Sequence, residues 1–187
     1  MRQMQRYAAL LRGINVGRAK RIAMADLRRW LEDLGWRGVR TLLASGNVVF
    51  EAPVQPAPKL AARIRATIAE QTGFDVEVVV KSAPEIAEAV ATNPLRAVAD
   101  DPAKLLVAFT ADDASLAAAA KLVKDDWGDE RIHVGTHAAY VWCANGILQS
   151  KAGTALLSGL KGQGTTRNWS TLQKLHAMLN ETQKEKA

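Results

Sequence analysis

Glycine and cationic residues cluster directly after the first apolar segment of the chain, in the stretch LRGINVGRAKR from Leu11 to Arg21. Two glycines, Gly13 and Gly17, stand four residues apart, and the cations among them are Arg12, Arg18, Lys20 and Arg21. Backbone N–H groups of a glycine-rich turn, together with cationic side chains, are groups that bind phosphate in proteins. The spacing matches neither the Walker A loop nor the three-glycine dinucleotide motif, so an ordinary structural turn stays open beside a phosphate site.

A second cluster of the same kind precedes the last predicted helix, in the stretch GQGTTRNW that ends at Trp169. Arg167 could hold a phosphate or carboxylate through two parallel hydrogen bonds, and Asn168 stands at the predicted start of the helix. Backbone amides at a helix N-terminus also attract anions. The alternative is that Thr166 and Asn168 only cap the helix, which leaves Arg167 without a role.

A third group of polar residues, Ser45 and Asn47, stands at the tip of a predicted hairpin in the stretch ASGNVVF. The stretch lacks the Gly-x-Ser-x-Gly spacing of a nucleophile elbow. A turn is one use of these residues, and hydrogen bonding to a ligand is the other. Gly46, and Asn47 beside it, are the residues expected to take a positive φ in the turn.

Metal and thiol chemistry find little support in the sequence. His133 and His137 flank a hairpin turn without a third ligand at a recognisable spacing, so we predict no metal site. Cys143, the single cysteine, stands in the apolar stretch VWCA and is expected to be a buried, inert thiol. No pair of carboxylates has the contrast of environments that a general acid and base need, so catalytic residues stay unknown and no cofactor is predicted.

Positive charge is concentrated at the two ends of the 187-residue chain, whose net charge is +6. Residues 1–40 hold ten Arg or Lys against three Asp or Glu, residues 41–130 hold eight against fourteen, and residues 131–187 hold seven against two. If both ends lie together, they form one basic surface that favours nucleotides, phosphorylated small molecules or nucleic acid. A generally basic, solvated surface would produce the same counts.

No apolar run approaches the roughly 20 residues of a membrane span, and the N-terminus has no secretory signal. A lone cysteine suits a reducing compartment. We therefore expect a cytoplasmic protein that does not act at a membrane, and the sequence leaves its oligomeric state open.

The hydrophobic pattern predicts the order β-α-β-β-α-β for the first half of the chain. Its predicted strands are Tyr7–Arg12, Val39–Leu43, Asn47–Phe50 and Val76–Val80; one helix runs from Met24 to a stop at Gly35, and another from Pro58 to Gly73. This order is typical of the ferredoxin-like α+β fold, an antiparallel sheet with both helices on one face.

The second half repeats the order as β-α-β-β-α, so we predict two ferredoxin-like halves. Its elements are predicted as Lys104–Thr110, Asp113–Lys124, Arg131–Val134, Ala139–Cys143 and Ile147–Leu160. The expected domains are residues 1–82, a connecting helix and loop over 83–103 with its helix at Pro84–Ala91, and residues 104–187. A loop over Lys161–Arg167 leads to a last helix, and Glu181–Ala187 is expected to fray.

Five ordered stretches resemble a bacterial family catalogued as domain of unknown function 1697: ALLRGINVG, MADLRRWLEDLGW, VRTLLASGNVVF, NPL and TTRNWSTLQKL. The resemblance covers about Tyr7–Leu179 and implies two ferredoxin-like α+β halves. It implies no activity, because none is established for the family. Recurrent family residues match Arg12, Gly13, Asn15, Gly17, Ser45, Gly46, Asn47, Asn93, Pro94, Lys151, Arg167, Asn168 and Trp169. Where the family has a further glycine and then lysine after Gly17, this chain has Arg18-Ala19-Lys20.

These observations predict a protein without metal that binds an anionic ligand through three loops converging in space. The expected ligand-binding residues are Arg12, Gly13, Asn15, Gly17, Lys20, Ser45, Asn47, Lys151, Arg167 and Asn168. One alternative is an enzyme acting on a phosphorylated or carboxylated small molecule, with Arg12, Lys151 and Arg167 as electrostatic stabilisers. The other is a structural interaction module.

Overall fold

The computed structural model describes residues 3–181 of the chain, in two compact units. The first unit includes the chain up to Pro84 and again from Leu175, and the second is Glu85–Lys174. Most of the predicted tail, residues 182–187, lies outside the described range. In the part of the chain that is described, no helix is long and apolar enough to cross a membrane.

The first unit has the predicted order β-α-β-β-α-β. Its elements are β1 (Met4–Leu11), α1 (Met24–Asp33), β2 (Arg37–Leu42), β3 (Asn47–Pro53), α2 (Ala57–Thr72) and β4 (Val78–Ser82). The strands form an antiparallel sheet in the order β2-β3-β1-β4, so β1 pairs with both β3 and β4. This is the strand order of the ferredoxin-like fold, and the predicted fold class is confirmed.

The core of the first unit lies between the sheet and its two helices. Leu27 and Leu31 of α1, and Leu60, Ile64 and Ile68 of α2, are all fully buried in the same cluster as alternate residues of the strands. The spacing of three and four residues places these side chains on one face of each helix. Burial of that face holds the helices on the sheet and so positions the loops that connect them.

The second unit contains a complete second copy of the same order. After α3 (Ala83–Ala91) and a 3-10 turn at Pro94–Ala97 come β5 (Leu105–Thr110), α4 (Asp113–Ala118), β6 (Arg131–Val134), β7 (Ala139–Trp142), α5 (Lys151–Gly159) and β8 (Gly164–Asn168). The last helix, α6 (Trp169–Asn180), begins in the second unit and ends in the first. The sheet order is β6-β7-β5-β8, which repeats that of the first unit position by position. A core of apolar residues from β5, β6, β7, α4 and α5 lies in this unit.

One predicted loop is a strand. The sequence pattern predicts an irregular segment over Lys161–Arg167, but β8 pairs along β5 from Asn168 opposite Leu106 to Gly164 opposite Thr110. A strand of small and polar residues lacks the alternating apolar pattern on which the prediction depends. β8 can have such a composition because it is an edge strand, which pairs with one neighbouring strand only. Gly164 is required there, since a Cβ would lie 2.8 Å from both Leu160 Cδ1 and Phe109 O.

Two predicted helices are shorter than expected. The helix predicted over Asp113–Lys124 continues beyond Ala118 only as a 3-10 helix, Ala119–Lys124. The helix predicted from Ile147 begins at Lys151, because the Ser150 hydroxyl accepts a hydrogen bond from the Gly153 N–H (2.8 Å) and caps it. Ile147 and Leu148 continue the apolar periodicity of α5 toward the N-terminus, which is why the prediction began too early, but they lie in a 3-10 turn before the helix.

Two helices begin at a side-chain cap, and the cap predicted at Asn168 is confirmed. Asp112 Oδ1 accepts from the Ser115 N–H (2.6 Å), and Asn168 Oδ1 accepts from the Thr171 N–H (2.9 Å). In each case the carboxylate or amide oxygen satisfies a backbone donor that has no partner within its helix.

The hairpin turn between β2 and β3 is partly as predicted. Gly46 has φ 90°, but the second residue with a positive φ is Leu43 (φ 61°) and not Asn47. The turn is therefore longer than a tight hairpin and extends over Leu43–Gly46. Its Gly46 carbonyl accepts from the Leu11 N–H (2.8 Å), which places the turn against the end of β1.

Replacing Gly46 with alanine is expected to destabilise the first unit. A Cβ at this position would lie 2.7 Å from Leu11 Cβ and 2.9 Å from Ile14 Cδ1, in addition to the positive φ. We expect Gly46→Ala to lower the free energy of unfolding by about 2–4 kcal/mol, measured by urea denaturation.

The matched control is Gly17→Ala. Gly17 also has a positive φ (62°), but nothing lies within 4 Å of its added Cβ. We expect a loss of about 1–2 kcal/mol from backbone strain alone. Equal losses for the two variants would contradict the close packing of the turn against β1.

Candidate functional site

The loop between β1 and α1, residues 12–23, carries the first predicted cluster of cations. Arg18, Lys20 and Arg21 are exposed, whereas Arg12 is half-buried at the end of β1. Gly13, Asn15, Gly17 and Lys20 all have positive φ angles, of 70°, 56°, 62° and 48°. Such a backbone changes direction repeatedly, which is how a short loop directs successive N–H groups to one side.

Asn15 ties this loop to the Leu43–Gly46 turn. Its side-chain Nδ2 donates to the Ala44 carbonyl (2.7 Å) and to the Ile22 carbonyl (2.9 Å), and its Oδ1 accepts from the Ile22 N–H (2.9 Å). Its backbone N–H donates to the Lys20 carbonyl (3.1 Å). One residue thus closes the loop on itself and holds it against the turn.

The two polar residues of the hairpin tip differ in exposure. Asn47 is fully buried, and its Nδ2 donates to the Leu42 carbonyl (2.8 Å) and to Ser45 Oγ (3.1 Å). Ser45 itself is exposed. Asn47 therefore closes the turn from inside, and the Ser45 hydroxyl takes part in that closure as an acceptor.

The cations of the loop have acidic neighbours just before β4. Lys20 Nζ donates to the Asp75 carbonyl (2.7 Å), and the Arg12 N–H donates to the Glu77 carbonyl (2.9 Å). Arg65 of α2 binds both carboxylate oxygens of Asp75 through Nε and Nη2. Because of these hydrogen bonds from Arg65, the pKa of Asp75 lies below its ordinary value, and that of Arg65 lies above its own.

Sequence reasoning missed this ion pair. Arg65 stands on a solvated helix face and Asp75 in the loop after α2, ten residues later. No local pattern connects a helix position to a loop position at that distance. The pair forms because α2 packs antiparallel to β4, which brings the end of the loop back along the helix.

In the second unit, Arg167 lies on the edge strand β8, opposite Val107 of β5. Its Nη1 donates to Thr165 Oγ1 and to the Thr166 carbonyl, both at 2.8 Å. Burial lowers the pKa of Arg167 to about 10, since the folded protein replaces part of the water around the guanidinium. A negative charge beside this group would offset that cost.

The two other predicted residues of this unit lie at helix starts. Asn168 caps α6, the structural role that was the alternative to ligand binding. Lys151 is the exposed first residue of α5. The structure thus brings together Arg12, Asn15, Ser45 and their neighbours within the first unit; the convergence of these loops with Arg167 stays a prediction.

The remaining ionisable groups of the second unit are mostly structural. Glu130 is buried (6% exposed), and its Oε2 accepts from the Ala152 N–H (3.0 Å), so it supports the start of α5. Burial raises the pKa of the Cys143 thiol. His137 Nε2 lies 3.1 Å from Glu88 Oε2. Among residues 3–181, no three His, Cys, Asp or Glu side chains are grouped closely enough to hold a metal ion.

Substitution of Asn15 tests its role as the link between loop and turn. We expect Asn15→Gly to keep the loop's backbone conformation but to lose the bonds of the side chain, so that the Ile22 amide exchanges its hydrogen about tenfold faster. Asn15→Ala should show the same increase and a further loss of stability of about 1 kcal/mol, because alanine disfavours φ 56°. Unchanged exchange at Ile22 in both variants would contradict the assignment.

The Arg65–Asp75 pair predicts a pH-dependent contribution to stability. A carboxyl whose pKa is lowered by folding stabilises the protein above its unfolded pKa, near 3.8, and this contribution is lost as the pH falls through the lower folded value. We expect Asp75→Asn to be less stable than the unsubstituted protein at neutral pH and the difference to disappear in acid. In an Arg65→Gln background the same substitution should have little pH-dependent effect; denaturation at several pH values measures both.

Comparison with known proteins supports the fold and identifies a family. The family described as "Protein of unknown function (DUF1697)" matches residues 4–140, so that Lys151, Arg167 and Asn168 lie beyond the match. No curated protein matches the chain.

A solved structure described as conserved bacterial protein SP0830 from Streptococcus pneumoniae has a TM-score of 0.78 with this protein. The alignment covers 95% of this chain and 100% of the other at 24% sequence identity, which establishes similarity of fold. The predicted resemblance is thus confirmed by the match over residues 4–140, and the chain belongs to the DUF1697 family of proteins of unknown function.

Proposed function

We propose that the loop of residues 12–23, together with the Leu43–Gly46 turn, binds the anionic group of a nucleotide, a phosphorylated small molecule or a nucleic acid. The observation that carries the proposal is the hydrogen bond from Asn15 Nδ2 to the Ala44 carbonyl (2.7 Å). It holds a cationic loop and a polar turn in one arrangement before any ligand arrives. A site formed in advance loses less entropy on binding than a mobile loop would.

The charges of this loop are accessible to a ligand. Arg18, Lys20 and Arg21 are exposed, and nothing lies within 4 Å of the positions where Gly13 and Gly17 would carry a Cβ. An anion can therefore approach the backbone at both glycines, and guanidinium groups can bind it with two parallel hydrogen bonds. Ser45 is an exposed residue of the adjoining turn, and its hydroxyl keeps a proton to donate because it accepts from Asn47 Nδ2.

Backbone strain is concentrated at this site. Residues 3–181 contain four non-glycine residues with positive φ, and three of them, Asn15, Lys20 and Leu43, belong to the loop and the turn. Each such conformation costs on the order of 1–2 kcal/mol for a residue with a side chain. Strained residues persist where the surrounding structure enforces them, and they are frequent at ligand-binding sites.

In the second unit, Arg167 is proposed as a contact for a negatively charged group, supported by its half-buried position and its lowered pKa of about 10. Lys151 and Asn168 belong to the same proposal. An anion beside Arg167 would stabilise the charged guanidinium and raise its pKa again. Proton uptake on ligand binding near pH 10 would report this contact, whereas proton release would contradict it.

Two exposed apolar side chains favour a second candidate function, a protein-interaction module. Val16, which follows Asn15, is 72% exposed, and Leu43, which precedes Ala44, is 55% exposed. The two side chains therefore flank the Asn15–Ala44 hydrogen bond in sequence. Exposed apolar side chains rimmed by polar residues are found at protein interfaces, and the exposed cations of the loop would favour an acidic partner. Under this alternative, Val16→Ser and Leu43→Ser would weaken binding of the partner and leave nucleotide binding unchanged.

Titration with ATP and with short RNA and DNA oligonucleotides at low and moderate salt tests the leading proposal. We expect Arg18→Gln and Arg21→Gln each to weaken binding. On a nucleic acid, the slope of log K against log salt should become shallower by about 0.7–0.9 for each phosphate that the variant no longer neutralises. The effect should be similar for all sequences, because hydrogen bonds to phosphate carry no base specificity.

The matched control is Arg28→Gln, which removes an equally exposed cation from α1. Its salt dependence should equal that of the unsubstituted protein. Equal weakening by Arg28→Gln would indicate a general basic surface, and failure of every probe to bind at low salt would overturn the proposal.

A further inference from the structure

We propose that the first unit has a second binding site, for a small phosphate-bearing molecule, in a groove between the end of β3 and the start of α2. This α2 groove is lined by Pro53, Val54, Gln55, Lys59 and Arg63 and has a volume of about 420 Å³. That volume lies in the range of sites that bind metabolites.

The groove lies far from the proposed anion-binding loop. Met4 of β1 pairs with Pro53 at the groove, whereas Leu10 pairs with Asn47 next to the turn. The six residue-to-residue steps from Met4 to Leu10 rise about 3.3 Å each along an extended strand, which separates the two places by about 20 Å. The two sites can therefore be tested independently.

The charge of the α2 groove is positive. Lys59 and Arg63 are both exposed and stand four residues apart, which places them on the same face of α2, about 5–6 Å apart at their Cβ atoms. The five lining residues include no Asp or Glu, and the first turn of α2 contains no acidic residue. Two cations at that spacing suit a group with more than one negative oxygen, such as a phosphate.

A ladder of stacked rings positions the arginine of the groove. The Tyr7 and Phe50 rings stack at 5.7 Å, Phe50 and Trp36 stack at 4.5 Å, and the Arg63 guanidinium lies over the Trp36 ring at 5.5 Å. A cation–π contact of this kind uses none of the guanidinium N–H donors, so these stay available to an anion. Trp36 is 3% exposed, so it forms a firm support for Arg63.

The other end of the same ladder positions the opposite wall of the groove. The Tyr7 hydroxyl accepts from the Gln55 N–H (3.3 Å), and its one proton lies within reach of Gln5 Oε1 (3.1 Å) and the Gln55 carbonyl (3.3 Å). The Val54 N–H donates to the Gln3 carbonyl (2.9 Å), while Val54 as a whole is 53% exposed. Fixed polar and cationic groups thus face an apolar wall of Val54 and Pro53, against which the carbon part of an organic phosphate can pack.

Pyrophosphate titration at constant ionic strength, followed by NMR, tests this site. The signal to follow is the indole Nε1–H resonance of Trp36, identified as the one missing from Trp36→Phe. We expect a saturable shift of this resonance, because an anion on Arg63 changes the field at the ring beneath it. Lys59→Gln and Arg63→Gln should each raise the apparent Kd about tenfold or more, as expected for loss of a charge-assisted hydrogen bond.

Arg28→Gln and Arg18→Gln are the controls, since both remove an exposed cation that does not line the α2 groove. Both should leave the titration of the Trp36 resonance unchanged, and Arg18→Gln also separates this site from the proposed loop site. A response that rises linearly without saturation overturns the proposal. An equal Kd for Arg63→Gln and the unsubstituted protein also overturns it.

Discussion

The close approach of the Leu43–Gly46 turn to the end of β1 is the interaction on which the rest of the candidate site depends. Gly46 accepts a hydrogen bond from the Leu11 N–H, and no side chain larger than hydrogen fits between Gly46 and Leu11. This approach leaves the Ala44 carbonyl within reach of Asn15, so the loop after β1 is held in place by the turn. The backbone geometry of the turn and the burial of Leu11, Ile14 and Ile22 in the core of the first unit therefore organise this surface together.

The two units share one architecture but differ in the connection that follows their first strand. In each, a central strand pairs with two neighbours, and two helices cover one face. The connection after the first strand differs between them: it is a long cationic loop in the first unit and the short, Asp112-capped start of α4 in the second. Repetition of the fold is thus compatible with a binding role for the β1–α1 connection in one unit only.

The sequence predicted the strands and helices with good accuracy where their apolar residues follow one period. It failed at β8, whose residues are small or polar, because an edge strand is defined by its hydrogen bonds to β5 rather than by a buried face. It also assigned the positive φ to Asn47 where Leu43 adopts it, since side-chain bonds to Leu42 and Ser45 keep Asn47 in the strand. Both errors arise where tertiary interactions override local preference.

Periodicity and glycine placement by themselves determined the α+β class, the two repeated halves and the loops that carry the cations, because these features depend on which residues can be buried and which can take a positive φ. Only the tertiary structure decided which side chains meet. Asn15 reaches Ala44, Arg65 reaches Asp75, and Arg63 reaches Trp36, and no local motif joins the members of any of these pairs. Such pairs are created by packing of helices and loops against a sheet, and packing depends on the whole set of buried residues at once.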